Sequence, residues 1–190
     1  MSIRRLFPTL LYDVAIDDAL LPELAHSIRS LAADDEAGQR WSEEHRFAGY
    51  TSYASLNDLP LRDPAFADLA RLLTRHARRL AAQLSWDAKP RLDSLWVNLL
   101  AGGGHHSAHI HPHSILSGTL YVEVPEGAGA IRFEDPRLPM MMAAPTRAGA
   151  FHTVEPRPGM LLLWESWLRH EVLPGTGEAE RLSISFNFAA

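Results

Sequence analysis

The stretch GGGHHSAHIHPHSILSGTLYVEV, from Gly102 to Val124, places five of the chain's ten histidines between His105 and His113. Within it, His109-Ile110-His111 has i, i+2 spacing. Successive side chains of a β-strand point to opposite faces, so this spacing sets His109 and His111 on one face and Ile110 on the other. Two imidazoles on a shared face can chelate one metal ion, and a further ligand must then come from elsewhere in the fold. His170 in WLRHEVLP is the first candidate, because it follows the apolar run GMLLLWES and a neighbouring strand can carry it alongside. His152, in the less ordered-looking FHTVEPRPG, is the second. His113 shares the parity of His111, but Pro112 bends the chain between them. His105 and His106 follow three glycines and read as loop residues outside the metal set.

Outward from the histidines, the chain divides in two. From Arg91 onward come RLDSLWVNLLA, SAHIHPH, SILSGTLYVEV, AIRFEDP, GMLLLWES, LRHEVLP and RLSISFNFA, short β-branched and aromatic runs separated by Gly and Pro clusters. About seven short strands predict a double-sheet β core of the jelly-roll kind. Before Arg91 the pattern is helical. Asp17-Asp18 opens a helix through LLPELAHSIRSLAADD, and Asp63-Pro64 is an N-cap with proline at the first helical position. Leu69, Leu72, Leu73, Leu80 and Leu84 form the apolar stripe of the second helix, while Arg71, Arg75, Arg78 and Arg79 make a solvated face. LFPTLLYDVAI, from Leu6 to Ile16, reads as an edge strand. GQRWSEEHRFAGYTSYASLNDLP reads as loop, packed down by Trp41, Tyr50 and Tyr53. The expected class is α+β: a double-stranded β-helix (jelly-roll) core with two supporting N-terminal helices. The 190 residues fit one domain, with a mainly helical part over 1–88 packing on a β core over 91–190.

Composition narrows the chemistry. There is no cysteine, so any metal must be held by nitrogen and oxygen ligands. Lys89 is the only lysine, so a cation that grips a carboxylate is an arginine. A net charge of -5 argues against a general nucleic-acid surface. No apolar stretch approaches the roughly 20 residues of a membrane span, and the N-terminus lacks a signal-peptide cleavage pattern. A cytoplasmic protein is expected.

Eleven residues after His170 stands Arg181-Leu182-Ser183, opening the final strand. Alternation puts Arg181 and Ser183 on one face. A guanidinium fork beside a hydroxyl is a receptor for a carboxylate. An arginine buried in a β core needs an anionic partner, which a dicarboxylic cosubstrate supplies.

The series HxH, SGTLYV, WLRH and RLSISFN resembles the iron(II)/2-oxoglutarate-dependent oxygenases, and is closest to the 2OG-Fe(II) oxygenase family carrying H-x-H-P-x-S-x-L-S-G-x-x-Y. Thr51-Ser52 with LNDLP, Trp96-Val97-Asn98 and Asp135-Pro136-Arg137 extend the likeness, which is strongest from Trp96 to Asn187. The resemblance implies a jelly roll and an enzyme that uses Fe(II) and 2-oxoglutarate to hydroxylate an unidentified small-molecule or peptide substrate, releasing succinate and carbon dioxide. It puts His109 and His111 in the slot usually written H-x-D/E, His170 in the distal-histidine slot, and Arg181 with Ser183 at the cosubstrate's far carboxylate. Tyr121 falls where related hydroxylases place a tyrosine against the cosubstrate, and Asn98, with Trp96 on its face, falls on the pocket wall.

One departure stands out. The usual facial triad is two histidines and a carboxylate; here His111 occupies the carboxylate slot, leaving the site more positive by one charge. Three histidines on strands equally suit a catalytic zinc, so a zinc hydrolase or hydratase is a rival, and a non-catalytic β-sandwich binding module is another. A cupin is disfavoured, because Ile115 or Leu116 stands where its first motif wants glutamate. The loop from Tyr50 to Asn57 and the segment from Arg137 to Ala150 are expected to flank the mouth. Met140-Met141-Met142 reads as an adaptable substrate lid, as packing, or as a contact in a homodimer.

Overall fold

The computed structural model describes residues 2–4, 6–137, 143 and 149–190. Among these, ten strands form two antiparallel sheets. The strands are β1 (Leu11–Ala15), β2 (Gly49–Thr51), β3 (Arg91–Leu100), β4 (His106–His109), β5 (Leu116–Glu123), β6 (Ile131–Glu134), β7 (Phe151–Val154), β8 (Met160–Glu165), β9 (His170–Val172) and β10 (Arg181–Ala189). The larger sheet runs β1-β8-β5-β10-β3-β2 and the smaller β4-β9-β6-β7. The α+β jelly roll is the expected fold, and β1 lies at a sheet edge as the sequence indicates.

The helices are α1 (Leu21–Asp34), α2 (Glu36–Glu44), α3 (Leu59–Arg62) and α4 (Pro64–Gln83). The two long ones are those expected. Asp63 caps α4, accepting from the Ala65 N–H at 2.8 Å, with Pro64 just inside. Two helices were not expected: α2 and α3 overlap the two ends of the segment read as loop. The residues α2 buries are Gly38 and Ser42, so it has no apolar stripe for periodicity to reveal. Eight strands run from Arg91 onward, and the one beyond the expected set is β7, in FHTVEPRPG, an exposed edge strand with no buried apolar residue.

Alternation on the large sheet separates two environments. Leu95, Val97 and Leu99 of β3, Leu120 of β5 and Leu182, Ile184 and Phe186 of β10 face the helices and pack with Leu24, Ile28, Phe66, Leu69 and Leu73. The intervening residues, Trp96 and Asn98 on β3, Thr119 and Tyr121 on β5, and Arg181, Ser183 and Ser185 on β10, line a cavity between the sheets. A smaller apolar cluster of Tyr121, Ile131, Phe133, Leu162, Trp164 and Leu168 closes one end of that space.

Asp35 fastens α2 to the sheet. Its carboxylate accepts from the Gly38 N–H at 3.1 Å, the Tyr50 hydroxyl at 2.8 Å and the Ser55 hydroxyl. A Cβ on Gly38 would sit 2.3 Å from Asp35 Oδ2 and 2.8 Å from the Tyr50 ring, so only glycine fits this helical position. Asp35→Ala removes the cap and leaves the buried Tyr50 hydroxyl without its acceptor. The expected loss, measured by chemical denaturation, is about 2 kcal/mol, and Asp35→Asn, which keeps a side-chain oxygen, loses less.

Candidate metal and cosubstrate site

Pairing of β4 with β9 sets His109 opposite His170. The strand expected through His111 ends at His109, and His111 lies just beyond it. Its N–H still donates to Ser166 O at 3.0 Å, which ties the segment to the turn between β8 and β9. Ser166 is held in turn, its hydroxyl 2.8 Å from that of Ser117, which donates to Asn187 Oδ1. His111 therefore reaches the same point as the other two without strand geometry. One ligand-capable atom from each of His109, His111 and His170 lies within 4.8 Å of the others.

Backbone carbonyls set the imidazole tautomers. His170 Nδ1 lies 2.9 Å from Leu168 O and His109 Nδ1 lies 2.7 Å from Ser107 O. A carbonyl only accepts, so each Nδ1 carries a proton, which leaves Nε2 of each ring as the nitrogen available to a metal. His111 Nε2 stands 3.3 Å from His170 Nε2. Burial pushes the His170 pKa down to about 3, against the pull of the Leu168 carbonyl, and the neighbouring histidines add to the fall. Burial, then His109, pushes His111 down to about 4. Neutral, pre-oriented nitrogens are what a divalent metal requires, so the donor set fits an ion.

Arg181 and Ser183 face the same cavity and are 5% and 3% exposed. Arg181 donates to Gly129 O at 2.8 Å, while its Nε is buried with no partner among the described residues. A Cβ on Gly129 would lie 1.8 Å from Leu173 O, so glycine is needed to bring that carbonyl within reach of Arg181. The Arg181 guanidinium stands 5.5 Å from the centre of the Tyr121 ring. Burial pushes the Tyr121 hydroxyl up to about 12, opposed by the charge on Arg181. Asn98 is held from both ends: Oδ1 accepts from Thr51 Oγ1 at 2.8 Å and Nδ2 donates to Ser185 Oγ at 3.1 Å. It is a braced wall.

His106 departs from its expected place in a loop: it opens β4 and lines the cavity. Its Nε2 is buried without a partner among the described residues, as is Trp164 Nε1. Burial, then Arg181, pushes His106 down to about 4. His105 is exposed, and His113 sits in a turn at φ 69°, where Pro112 redirects the chain. His152 lies on β7, across β6 from His170, and is exposed; Phe133 pairs with both, which separates them. Met140–Met142, and most of the segment from Arg137 to Ala150, lie outside the described residues.

A second, wider cavity of about 510 Å³ opens on the outer side of the cluster. Tyr53, from the loop expected at the mouth, lines it together with Trp41, His45, Arg46 and Phe47 from the end of α2. Sequence reading missed this last group because the helix carrying it went unrecognised; the aromatic Trp41 in a polar segment was the available signal.

Residues 94–187 match the family described as "Putative 2OG-Fe(II) oxygenase". Solved structures give the same fold. A prolyl-4-hydroxylase of Pseudomonas putida aligns at TM-score 0.68 and 20% identity, over 96% of this chain and 94% of that one. The α-ketoglutarate-dependent epimerase SnoN from nogalamycin biosynthesis aligns at TM-score 0.66 and 20% identity, over 95% and 76%. HygX from Streptomyces hygroscopicus, solved with nickel and 2-oxoglutarate bound, aligns at 0.63 and 14%, over 95% and 82%. No curated protein matches the chain in sequence. Over residues 94–187, the span that carries its site, the chain matches the 2OG-Fe(II) oxygenases, and the three histidines there form a group that can hold a metal ion. No helix among the described residues is long and apolar enough to cross a membrane.

The depressed histidines give the metal-free protein a signed pH dependence. An unfolded histidine protonates near 6.5, whereas His111 and His170 resist protonation down to about 4 and about 3. Between about 6.5 and 4 the unfolded chain binds protons that the folded chain does not, so lowering the pH favours unfolding. The thermal midpoint of metal-free protein is expected to fall through this window, and less steeply in His170→Phe.

Proposed function

We propose that the chain hydroxylates a small molecule, with the metal held by His109, His111 and His170 and the far carboxylate of 2-oxoglutarate held by Arg181 and Ser183. One observation carries the reading. The three buried side-chain polar atoms without a partner among the described residues belong to His106, Trp164 and Arg181. All three residues line the cavity that also holds the histidine cluster. Buried polar groups are ordinarily satisfied, and a buried guanidinium without an anion is costly. A dicarboxylate supplies the missing acceptors.

Iron(II) with 2-oxoglutarate and dioxygen supplies an oxidant strong enough to break a C–H bond, releasing succinate and carbon dioxide. The protein's residues bind and orient. Arg181 offers a fixed cation and Ser183 a hydroxyl on the same strand face. Tyr121, protonated at neutral pH, offers a donor to the cosubstrate. Asn98 and Trp96 keep the wall rigid between cosubstrate and mouth. Three neutral imidazoles in place of two and a carboxylate make the centre more positive than the usual triad. Epimerisation is the activity named for SnoN; likeness over nearly the whole length of the prolyl-4-hydroxylase favours hydroxylation. Incorporation of labelled oxygen from dioxygen into the product separates the two.

The test is an anaerobic titration of metal-free protein with Fe(II) and then 2-oxoglutarate, followed in the visible spectrum. A charge-transfer band of the chelated 2-oxo acid is expected, absent in His109→Ala and His170→Ala. In Arg181→Ala the 2-oxoglutarate needed for half-saturation rises about 10- to 100-fold, the loss of a charge-assisted pair. Tight zinc retention with no band would overturn the proposal in favour of a zinc enzyme.

A further inference from the structure

The outer cavity has a composition that selects its occupant. Trp41 stacks on His45 with centroids 4.1 Å apart and planes 13° apart. Trp41 meets Tyr53 at 5.8 Å, Tyr53 meets Trp96 at 5.3 Å, and Trp96 meets His111 at 6.2 Å. A continuous run of rings thus leads from the rim to the histidine cluster. No acidic residue lines the cavity, and Arg46 is the one arginine or lysine that does, among the described residues.

Arg46 is unusual in its backbone as well. It follows the last turn of α2 at φ 55°, in the left-handed region, with its N–H bonded to Glu43 O. This is the position after a helix end where glycine is the ordinary choice, because a Cβ is strained there. Its side chain is exposed and forms no hydrogen bond or ion pair among the described residues. A long cationic side chain therefore sits in a strained position without structural return, on the wall of a cavity that leads to the metal site. Strain held without a packing benefit points to a ligand.

Resting on the proposed metal site at the inner end of this cavity, we infer that the substrate is a small molecule that joins a flat apolar ring to an anionic group. The ring lies against Trp41, Tyr53 and Trp96, and the anion pairs with Arg46. The volume of about 510 Å³ is that of a small-molecule pocket. A cationic substrate is disfavoured by the same wall: Arg46 repels it, and no side-chain carboxylate among the described residues lines the cavity to offset that charge. Arg46 is then a specificity residue, and the anion it recognises is distinct from the dicarboxylate held by Arg181.

Calorimetric binding of phenylacetate, phenylacetamide, phenethylamine and glucuronate, with 2-oxoglutarate present at saturation so that Arg181 is occupied, tests the inference. Phenylacetate is expected to bind at least about fivefold more tightly than the amide, with phenethylamine and glucuronate weakest. Arg46→Gly, which relieves the backbone, should keep or raise the thermal midpoint while bringing the acid and the amide to equal affinity. An unchanged acid-to-amide ratio in Arg46→Gly, or preferential binding of the amine or of glucuronate, would overturn the inference. Arg181→Ala keeps the two proposals apart. It weakens 2-oxoglutarate and leaves the phenylacetate preference intact if the outer cavity is a separate anion site, and removes both if it is not.

Discussion

Antiparallel pairing of β4 with β9 is the constraint on which the site rests. The two strands are four and three residues long, and their register sets His109 against His170. Shifting a strand by one residue turns every side chain to the opposite face, so slippage would point these rings apart. The register is secured from both sides: β9 also pairs with β6, and His111 is tied to Ser166, whose hydroxyl meets Ser117 beneath it. The carbonyls of Ser107 and Leu168 then orient the rings, so strand pairing and ring orientation come from the same backbone.

The large sheet allows its inner face to be polar because its outer face carries the stability. Leu182, Ile184 and Phe186 of β10 are fully buried against the helices, while Arg181 and Ser183 between and beside them face the cavity. Burial of apolar surface is the main favourable term in folding, and most of it lies between helices and sheet. The space between the sheets needs only a modest apolar cluster at one end. It can hold an arginine, several hydroxyls and three imidazoles, at an energetic cost that the helix-facing core offsets. A two-layer sandwich without the helices would have no such latitude.

Helix α2 connects this scaffold to the outer cavity. Asp35 and Gly38 lock it onto Tyr50 of β2, and its far end delivers Trp41, His45 and Arg46 to the cavity wall. The helix buries almost nothing apolar. Its placement comes from hydrogen bonds and ring stacking, which serves an element whose residues face a ligand.

Much of this was legible in the sequence. Alternation in RLSISFNF put Arg181 and Ser183 on one face, and the family resemblance put Asn98, beside Trp96, on the pocket wall. The N-cap at Asp63 and the stripe of leucines that follows it located α4. The HxH spacing and His170 behind an apolar strand named the three histidines. Local rules failed where local signals were absent. Helix α2 has no apolar periodicity, β7 has no buried alternation, and His111 reaches the cluster through a turn. His106 drew a loop assignment from the glycines before it, and only pairing with β9 makes it a strand residue. Periodicity reports which face of an element seeks burial, and this the chain determines by itself. Which faces meet, which buried polar atoms are left without partners, and where Arg46 emerges are set by contacts distant in sequence. Those follow from strand register and helix docking, which only the tertiary structure decides.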